Sequence, residues 1–597
     1  MDYAQPPVVV ISDQAQLTDP VWFNAEQHAR VVQFVDHGAT ITCAEFRDQV
    51  VRLAHGLRES GIKPGDRVAL MSKTRYEWTL IDYSIWAAGG ITVPIYETSS
   101  AEQVEWILKD SGAVACFAET AAHAVTIRSV APELPLWQID AVELPLRSGE
   151  GFERHRGFAD DPATIVYTSG TTGRAKGCVL THRNMLSDIG NAIPALDRLF
   201  HEGASTVLFL PLAHSFARLL QIGAVQGRVS TSFTADVKNL VDDLAKFKPT
   251  FVLSVPRVFE KVYTGARQRA HAAGRGAIFD RAEKIAIAYS EAQDQPSGPG
   301  TWLRLQHKLF DKLVYSRLRE ALGGRCHSAI SGGAPLGMRL GHFFRGVGLV
   351  VLEGYGLTET SPALTFNRPG PHPADGPHRR SAKGELQAGR EGAIRIGTVG
   401  QPLPGVTLRI DADGEILAKG EVVFPGYWNN SEATAEVIDD DGWFHTGDLG
   451  SLDADGFLTI TGRKKEIIVT AAGKNVAPAA LEDRIRAHPL VSQCMVIGDR
   501  RPFIAALITI DPEALAGSSS LDTPVQDITT DPNLRARIQE AIDEANKAVS
   551  KAEAVKVFRI LPRDFTEASG ELTPSLKVKR AVVMKEYADE IDAIYRR

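Results

Sequence analysis

The first third of the chain alternates short apolar runs with amphipathic helix patterns. Thr42 and Glu45 form a capping box ahead of apolar residues at helical spacing, and Gly61 stands where a glycine ends such a helix. Apolar runs at 67–71 and 114–117 predict buried strands, and residues 101–109 predict a second helix. Strands that alternate with helices pack as a sheet covered by helices, so the predicted fold class is α/β.

The second half of the chain has a different pattern. After about residue 400, short strand patterns are separated by Asp-Gly turns at 413–414, 441–442 and 455–456. The last segment has strand patterns of its own at 493–497 and 503–510. A chain of 597 residues exceeds one ordinary core, so we predict a large multi-layer domain followed by a small α+β domain.

Composition excludes several classes of protein. The formal net charge is −7 and no basic stripe is present, which argues against nucleic acid as a partner. No CxxC pair or HExxH motif supports a zinc site. No run reaches the ~18–20 apolar residues of a membrane span, and the N-terminus lacks a signal-peptide pattern. We therefore expect a cytoplasmic protein, and peripheral contact with the inner face of the membrane stays open. Five scattered cysteines also indicate a reducing compartment: Cys43, Cys116, Cys178, Cys326 and Cys494.

The most informative segment is the run Tyr-Thr-Ser-Gly-Thr-Thr-Gly-Arg-Ala-Lys-Gly at 167–177. It follows an apolar strand pattern at 164–166 and precedes a helix that Thr181 could cap. Its glycines allow close backbone approach, its hydroxyls donate hydrogen bonds and its lysine supplies a positive charge, as a polyphosphate requires. Ala175 and Gly177 around the lysine exclude a Walker A loop. The candidate phosphate-binding residues are Thr168, Ser169, Gly170, Thr171, Thr172, Gly173 and Lys176.

This run resembles the signature of the adenylate-forming, or AMP-binding, superfamily, which includes acyl-CoA synthetases and luciferases. Further segments resemble that family's motifs in the same order along nearly the whole chain. The resemblance implies the adenylate-forming-enzyme fold, with a large N-terminal domain and a small mobile C-terminal domain. It also implies that the chain uses ATP and Mg²⁺ to activate a carboxylic acid as an acyl-adenylate.

Two segments resemble the adenine side of the family's ATP site. Residues 331–335 (Ser-Gly-Gly-Ala-Pro) resemble a segment that lies along adenine, and residues 353–360 (Glu-Gly-Tyr-Gly-Leu-Thr-Glu-Thr) resemble a more specific motif. In that motif the tyrosine stacks on adenine, the threonine touches the α-phosphate and the glutamate helps hold Mg²⁺. A hard cation prefers carboxylate and phosphate oxygens, which suits this role. The resemblance implies ATP-binding roles for Gly332, Gly333, Ala334, Glu353, Gly354, Tyr355, Gly356 and Thr358, and metal contacts for Glu359 and Thr171.

The ribose side and the hinge are implied in the same way. Residues 443–449 (Trp-Phe-His-Thr-Gly-Asp-Leu) place Asp448 where the family's aspartate accepts from both ribose hydroxyls. Arg463, fifteen residues on, matches a residue that binds ribose and phosphate, and Lys465 matches the hinge pivot. We therefore predict an N-terminal AMP-binding and acyl-binding domain over 1–462, a hinge at 463–465 and a C-terminal domain over 466–597.

Residues 571–580 resemble the family's terminal lysine motif, with Lys577 in the place of the catalytic lysine. The commoner Pro-Lys-x-x-x-Gly-Lys form is absent, so Lys579 remains an alternative, and an exposed basic tail is the plain structural interpretation. A mobile cation suits in-line displacement at the α-phosphate, because it lowers the repulsion between the carboxylate and the phosphate oxygens.

The acid and the acceptor are implied by the remaining segments. Residues 209–216 resemble the acyl-pocket segment, in which His214 matches a catalytic residue that moves between the two half-reactions; a satisfied structural histidine is the alternative. Some long-chain members place a gating tryptophan near the position of Arg218, so any gate must work differently here. Gly473 matches a position near the tunnel that binds coenzyme A. The helical stretch 257–321, the run 473–478 and the ending 572–577 resemble long-chain acyl-CoA synthetases, which predicts a long-chain fatty acid as substrate and coenzyme A as acceptor.

Two other functions stay open. An acyl-AMP ligase that loads an acyl-carrier protein shares every nucleotide motif, although no carrier module is apparent in the sequence. A non-catalytic acyl-binding or nucleotide-binding protein is the third reading, and the intact motif residues argue against it. The Pro- and Gly-rich segment 371–392 is predicted to be a surface loop.

Overall fold

A computed structural model of the chain describes residues 2–168, 174–368, 394–471, 473–516, 527–573 and 577–596. The predicted phosphate-binding residues 169–173 and the predicted loop 371–392 lie outside these ranges, as do residues 574–576 of the terminal lysine motif. None of the described helices has the length and apolar character needed to cross a membrane.

The described strands are numbered in chain order. They are β1 Asp2–Ala4, β2 Val32–Asp36, β3 Ala39–Thr42, β4 Arg67–Met71, β5 Ile91–Ile95, β6 Ala115–Ala118, β7 Leu136–Gln138, β8 Pro162–Thr168, β9 Lys176–Thr181, β10 Ser205–Leu208, β11 Ser230–Phe233, β12 Phe251–Ser254, β13 Ser328–Ser331, β14 Val350–Tyr355, β15 Thr365–Phe366, β16 Gln401–Pro402, β17 Thr407–Ile410, β18 Glu415–Lys419, β19 Gly426–Tyr427, β20 Phe444–Leu452, β21 Leu458–Arg463, β22 Ile468–Val469, β23 Asn475–Val476, β24 Val491–Ile497, β25 Ile504–Ile510 and β26 Val555–Ile560.

The helices connect and cover these strands. They are α1 Asp19–Gln27, α2 Cys43–Glu59, α3 Tyr76–Ala88, α4 Ala101–Ser111, α5 Ala121–Val130, α6 His182–Ala195, α7 Ser215–Gln226, α8 Leu240–Phe247, α9 Pro256–Ala272, α10 Gly276–Gln293, α11 Thr301–Phe310, α12 Ser316–Ala321, α13 Met338–Gly346, α14 Ser431–Ala435, α15 Pro478–Arg486, α16 Pro512–Ala516, α17 Pro532–Asn546, α18 Arg580–Glu586 and α19 Ala588–Tyr595.

The α/β prediction is confirmed. The largest sheet has the strand order β19-β9-β8-β5-β4-β6-β7, and its central strands pair in parallel through connecting helices. Smaller sheets have the orders β10-β11-β2-β3, β12-β13-β14-β15-β16 and β1-β17-β18-β20-β21, and β24-β25-β26 lies near the C-terminus. Local signals hold in detail: Thr42 and Glu45 form the predicted capping box at the start of α2.

The run 167–177 follows a strand and precedes a helix, as predicted, and the structure adds the strand β9 before that helix. Strands β8 and β9 pair antiparallel, with Thr168 opposite Lys176. The apolar residues after the lysine form β9, because they complete the pairing surface of β8. Thr181 then ends β9 and caps α6, where its side-chain oxygen accepts from the backbone N–H of Asn184.

Buried apolar residues form separate clusters in the early and late parts of the chain. One large cluster and a second beneath α9–α13 contain only residues before 461. Two further clusters, around the β24–β26 sheet, contain only residues from Ile468 onward. This division fits a small C-terminal domain with a core of its own; the exact boundary and the hinge at 463–465 stay predictions.

Arg218 lies in the interior and is not among the described residues that line the large cavity described below. Its Nε donates to Asp82 Oδ2 at 3.0 Å, and its Nη1 donates to the hydroxyl of Thr164. The rings of Trp78 and Trp86 flank the guanidinium at 5.3 and 5.2 Å. Arg218 therefore connects α7 to α3 and β8. Because it is buried away from the cavity, it does not act as a gate to the acyl pocket.

We expect Arg218→Met to destabilise the protein by about 3–5 kcal/mol, because it leaves the Asp82 carboxylate buried without its partner. Urea unfolding followed by tryptophan fluorescence measures this, since Trp78 and Trp86 surround the site. Arg409→Met, which removes an exposed pair with Asp2, is the matched control and should change stability little. Equal effects of the two substitutions would contradict a structural role for the buried pair.

Candidate active site

A cavity of about 2210 Å³ opens between the large N-terminal part of the chain and the C-terminal segment. Typical small-molecule pockets measure roughly 300–1,000 Å³, so this cavity has room for more than one ligand. The predicted site residues that line it are Thr168, Lys176, His214, Gly332, Gly333, Gly354, Tyr355, Gly356, Thr358, Glu359, Arg463, Lys465 and Lys577.

Four other predicted residues are not among the described residues that line the cavity: Ala334, Glu353, Asp448 and Gly473. Glu353 is buried and its Oε2 accepts from the backbone N–H of Leu336 at 3.1 Å. Burial raises the pKa of this carboxyl to about 7. Glu353 thus supports the turn that carries Gly332 and Gly333. Gly473 has a φ of +78°, and a Cβ added there would meet no atom within 4 Å.

Two glycines are closely packed at the cavity wall. A Cβ on Gly332 would lie 2.9 Å from the ring of Phe216, which would have to move, and one on Gly356 would lie 1.7 Å from the carbonyl oxygen of Pro362. The backbone at Pro362 leaves no room for a side chain, so Gly356 excludes other residues. The backbone therefore forms the cavity surface at these points.

Lys176 and Glu359 both contact the side chain of Tyr427. The phenol of Tyr427 donates to Glu359 Oε1 at 2.9 Å, and the ammonium of Lys176 lies 5.0 Å from the centre of the ring. Tyr427 reaches this point because β19 pairs with β9. No motif in the sequence identified Tyr427. One wall thus holds a cation and a carboxylate, the groups that a phosphate and a divalent cation require.

A metal ion at this wall would need ligands from water and substrate as well as from the protein. No group of three or more His, Cys, Asp or Glu side chains suitable for a metal occurs in the described ranges. Mg²⁺ keeps waters and substrate phosphates as ligands and often takes only one or two carboxylates from the protein. Glu359 fits that limited role, and Thr171 lies outside the described residues.

Asp448 connects a second part of the cavity wall through two hydrogen bonds. The phenol of Tyr355 donates to its Oδ2 at 2.8 Å, and Nε of Arg463 donates to its Oδ1 at 2.8 Å. Asp448 and Arg463 meet because they are directly opposite in the β20–β21 hairpin. The surrounding protein and the Asp448 charge raise the pKa of Tyr355, so the phenol remains a donor.

Lys577 directly precedes Val578, which forms a bridge with Leu572. Its backbone N–H donates to the hydroxyl of Thr573 at 3.0 Å. Lys577 is exposed to the interior of the cavity, and the protein around the cavity encloses it. That enclosure and then the charge of Arg463 lower the pKa of its ammonium. Lys579 also lines the cavity, so geometry alone does not exclude it.

His214 stands at the N-terminus of α7, where its Nδ1 accepts from the backbone N–H of Phe216 at 3.2 Å. Enclosure by the protein and then the charge of Lys577 lower its pKa to about 4. The imidazole is therefore neutral near pH 7. This coupling places His214 and Lys577 in the same part of the cavity.

Beyond His214 the cavity wall becomes apolar. Helices α6 and α7 supply one side, and β12, β13 and β14 supply the other. Phe200, five residues after α6 ends, also lines this part of the cavity, and sequence patterns gave no signal for it. The lining side chains are Ile189, Ala192, Ile193, Leu196, Phe200, Phe216, Leu219, Leu220, Leu253, Ile330 and Leu352. Such a surface suits a hydrocarbon chain.

Comparisons with curated proteins identify close relatives. Long-chain-fatty-acid–CoA ligase FadD15 of Mycobacterium tuberculosis is 51% identical over 578 residues, which cover 93% of this chain and 92% of the relative. Long-chain-fatty-acid–CoA ligase ACSBG1 of Homo sapiens is 31% identical over 604 residues, covering 91% of this chain and 80% of the relative.

Solved structures show the same fold. ATP-bound MatB from Rhodopseudomonas palustris has a TM-score of 0.70 at 23% identity, covering 98% of this chain and 100% of that one. The A-PCP didomain of carboxylic acid reductase from Segniliparus rugosus, in complex with AMP, has a TM-score of 0.74 at 20% identity, covering 98% and 82%. The adenylate-forming-enzyme fold is therefore confirmed.

Family models match both parts of the chain. The model described as AMP-binding enzyme matches residues 21–428, and the model described as AMP-binding enzyme C-terminal domain matches residues 465–597. Together with the relatives, these matches show that the chain belongs to the AMP-binding enzyme family.

Proposed function

We propose that this protein is a long-chain-fatty-acid–CoA ligase that forms an acyl-adenylate from ATP and releases AMP and diphosphate. The observation that carries the proposal is one cavity whose wall includes Lys176, Arg463 and Lys577 and, in its apolar branch, the side chains of α6, α7 and β12–β14. Relatives that share about half of the sequence carry the same name, which supports the choice of acid and acceptor.

ATP would bind along the two polar walls. Tyr355 and the Gly332–Gly333 backbone would hold adenine, and Asp448 with Arg463 would hold ribose. The 168–173 run and Lys176 would hold the phosphates. Glu359 and Thr171 would help hold Mg²⁺, which would neutralise part of the phosphate charge. Supporting this assignment, Tyr355 and Arg463 line the cavity and each donates to Asp448, so the carboxylate is held directly behind the cavity wall.

In the first half-reaction a carboxylate oxygen attacks the α-phosphorus of ATP. The bond from that phosphorus to the bridging oxygen breaks, and diphosphate leaves with the electron pair. Lys577 would stabilise the charge that gathers on the α-phosphate oxygens and bring the carboxylate into line. Neutral His214 adds no positive charge near Lys577 beyond that of Arg463.

In the second half-reaction the sulfur of coenzyme A attacks the acyl carbonyl carbon. The bond to the adenylate oxygen breaks, AMP leaves and the thiol proton passes to solvent. Gly473 does not line the cavity in the present arrangement, so its predicted contact with coenzyme A requires the C-terminal domain to turn. Lys465 as the pivot and His214 as a residue that moves with the change are part of the same proposal.

The partners follow from the reaction: a long-chain fatty acid, ATP and coenzyme A, with no nucleic acid. We also propose a cytoplasmic location with peripheral membrane contact. The five cysteines are buried free thiols, which suits a reducing compartment.

AMP release by the purified protein tests this function. Acetate, octanoate, palmitate and oleate are compared with ATP and Mg²⁺, each with and without coenzyme A. We expect turnover that requires coenzyme A and favours the long acids. Acyl-AMP that accumulates regardless of coenzyme A would point to an acyl-carrier protein as acceptor, and no reaction with any acid would support a non-catalytic binder.

Lys577→Ala is expected to lower acid-dependent pyrophosphate exchange by about 100-fold or more, because it removes the cation that stabilises the α-phosphate charge. Thioester formation from supplied acyl-AMP should change little. Lys579→Ala is the matched control, since Lys579 also lines the cavity. A larger effect from Lys579→Ala would assign the catalytic cation to that residue.

Asp448→Ala is expected to raise KM for ATP by roughly tenfold, since hydrogen bonds to a carboxylate contribute about 1.5–3 kcal/mol. Comparison with 2′-deoxy-ATP isolates the ribose contact: the variant should discriminate less between the two nucleotides than the wild type does. Unchanged discrimination would show that Asp448 acts only by positioning Tyr355 and Arg463.

The apolar branch sets a further expectation. A Cβ on Gly223 would lie 2.9 Å from the ring of Phe200, so these residues pack together. Gly223 lies nine residues after His214, about 14 Å along α7 at 1.5 Å per residue, or roughly ten carbons of an extended chain. Gly223→Ala should push Phe200 into the branch and reduce kcat/KM for palmitate about tenfold, while octanoate is spared.

The companion variant Phe200→Ala should open the same branch and shift preference toward longer acids. Activity assays across chain lengths check both variants. An equal loss for octanoate and palmitate in Gly223→Ala would place the acyl chain elsewhere.

A further inference from the structure

One face of α11 and of the turn that follows it is apolar and open. The exposed fractions are 69% for Trp302, 59% for Leu305, 57% for Leu309 and 48% for Leu313. Spacings of three and four residues place these side chains in a row along the helix. Single exposed apolar residues are ordinary on protein surfaces, but a continuous row on one element marks an interaction surface.

The opposite face of α11 is held firmly against the protein. Phe310 is buried, and Nε2 of His307 donates to the carbonyl oxygen of Gly346 at 2.6 Å. The ring of His307 also stacks on Tyr289 at 3.8 Å. In the π-helical turn Asp311–Tyr315, Tyr315 is fully buried. The exposed row therefore belongs to an anchored helix whose other face supplies the contacts with the core.

A row of positive charges runs beside the apolar row. Arg304, Lys308 and Lys312 follow each other at four-residue intervals and are exposed. Within the described ranges none of the three forms an ion pair, whereas the single acid between 301 and 319, Asp311, pairs with Arg319 at 2.8 Å. The chain as a whole is acidic, with a net charge of −7, so this local basic row is not a consequence of composition.

We propose that this face, formed by Trp302, Leu305, Leu309 and Leu313 with the basic row, binds the surface of an anionic lipid bilayer. The apolar side chains would enter the boundary between headgroups and acyl chains, as the apolar face of an interfacial helix does. The long stems of the basic side chains let their charged ends reach lipid phosphates. A tryptophan at one end suits the membrane–water boundary.

Charge argues against a second copy of the chain as the occupant. A symmetric dimer through this face would bring two copies of the same basic row together. Like charges at close range weaken such an interface, whereas an anionic bilayer neutralises them. The lipid surface is therefore the partner that fits both rows.

The same helical region packs against β12, β13 and β14, the strands that form one side of the apolar branch of the cavity. Val252, Ala329 and Val351 pack toward the cluster beneath α9–α13, and the next residue of each strand, such as Leu253, faces the cavity. Binding at α11 would therefore place the bilayer on the helical side of that sheet. The proposed surface stands independently of the proposed reaction, since vesicle binding is measured without turnover.

Sedimentation with vesicles tests the proposal on the full chain. Vesicles of phosphatidylcholine alone are compared with vesicles that also contain phosphatidylglycerol, at low and high salt. We expect binding to the anionic vesicles that weakens with salt. Trp302→Ser with Leu309→Ser, and separately Lys308→Glu with Lys312→Glu, should each reduce binding by about tenfold or more.

Matched controls use exposed residues elsewhere. Val125 and Phe158 are 68% and 62% exposed, and Lys246 lies on α8. Val125→Ser with Phe158→Ser, and Lys246→Glu, should leave vesicle binding unchanged. Octanoate-dependent AMP release by every variant checks that the fold is intact. Anionic-vesicle binding that is absent, or equal in wild type and α11 variants, would overturn the proposal. So would a concentration-dependent dimer that the α11 substitutions abolish without any vesicle binding.

Discussion

The site depends on the carboxylate of Asp448, which joins three parts of the chain. It accepts one hydrogen bond from Tyr355 on β14 and another from Arg463 at the end of β21. Arg463 in turn adjoins the segment that leads into the C-terminal part, and its charge acts on Lys577. A single buried carboxylate thus holds both Tyr355 and Arg463 in place. The predicted ribose contact and the position of Arg463 beside Lys577 therefore depend on the same residue.

The C-terminal part is held over the cavity by polar contacts of a different kind. Arg257 on α9 donates to the hydroxyl of Ser492 at 3.0 Å, and the hydroxyl of Thr98 bonds Glu567. Among the described residues, each apolar cluster contains residues of one part or the other and none contains both. Polar interfaces of this kind permit relative domain motion. The C-terminal part can therefore move, and take Lys577 out of the cavity, before the proposed second half-reaction.

Sequence reasoning succeeded where partners are near in the chain. The capping box at Thr42 and the hairpin turn at 455–456 depend on local chemistry, and that hairpin brings Asp448 opposite Arg463. It failed where partners are distant. Arg218 pairs with Asp82, 136 residues away, which no spacing reveals, and β9 was missed because its pairing with β8 outweighs the loop-like residues before it. The assignments of individual site residues stay predictions.

Covalently joining the two parts tests the central claim most directly. Cysteines at positions 98 and 567, linked by a short cleavable thiol crosslinker, would hold Lys577 in the cavity; the five native cysteines are buried. We predict that the linked protein retains acid-dependent pyrophosphate exchange and loses thioester formation, which returns when the link is cleaved. Unimpaired thioester formation by fully linked protein would contradict the account, because coenzyme A would then react without movement of the C-terminal part.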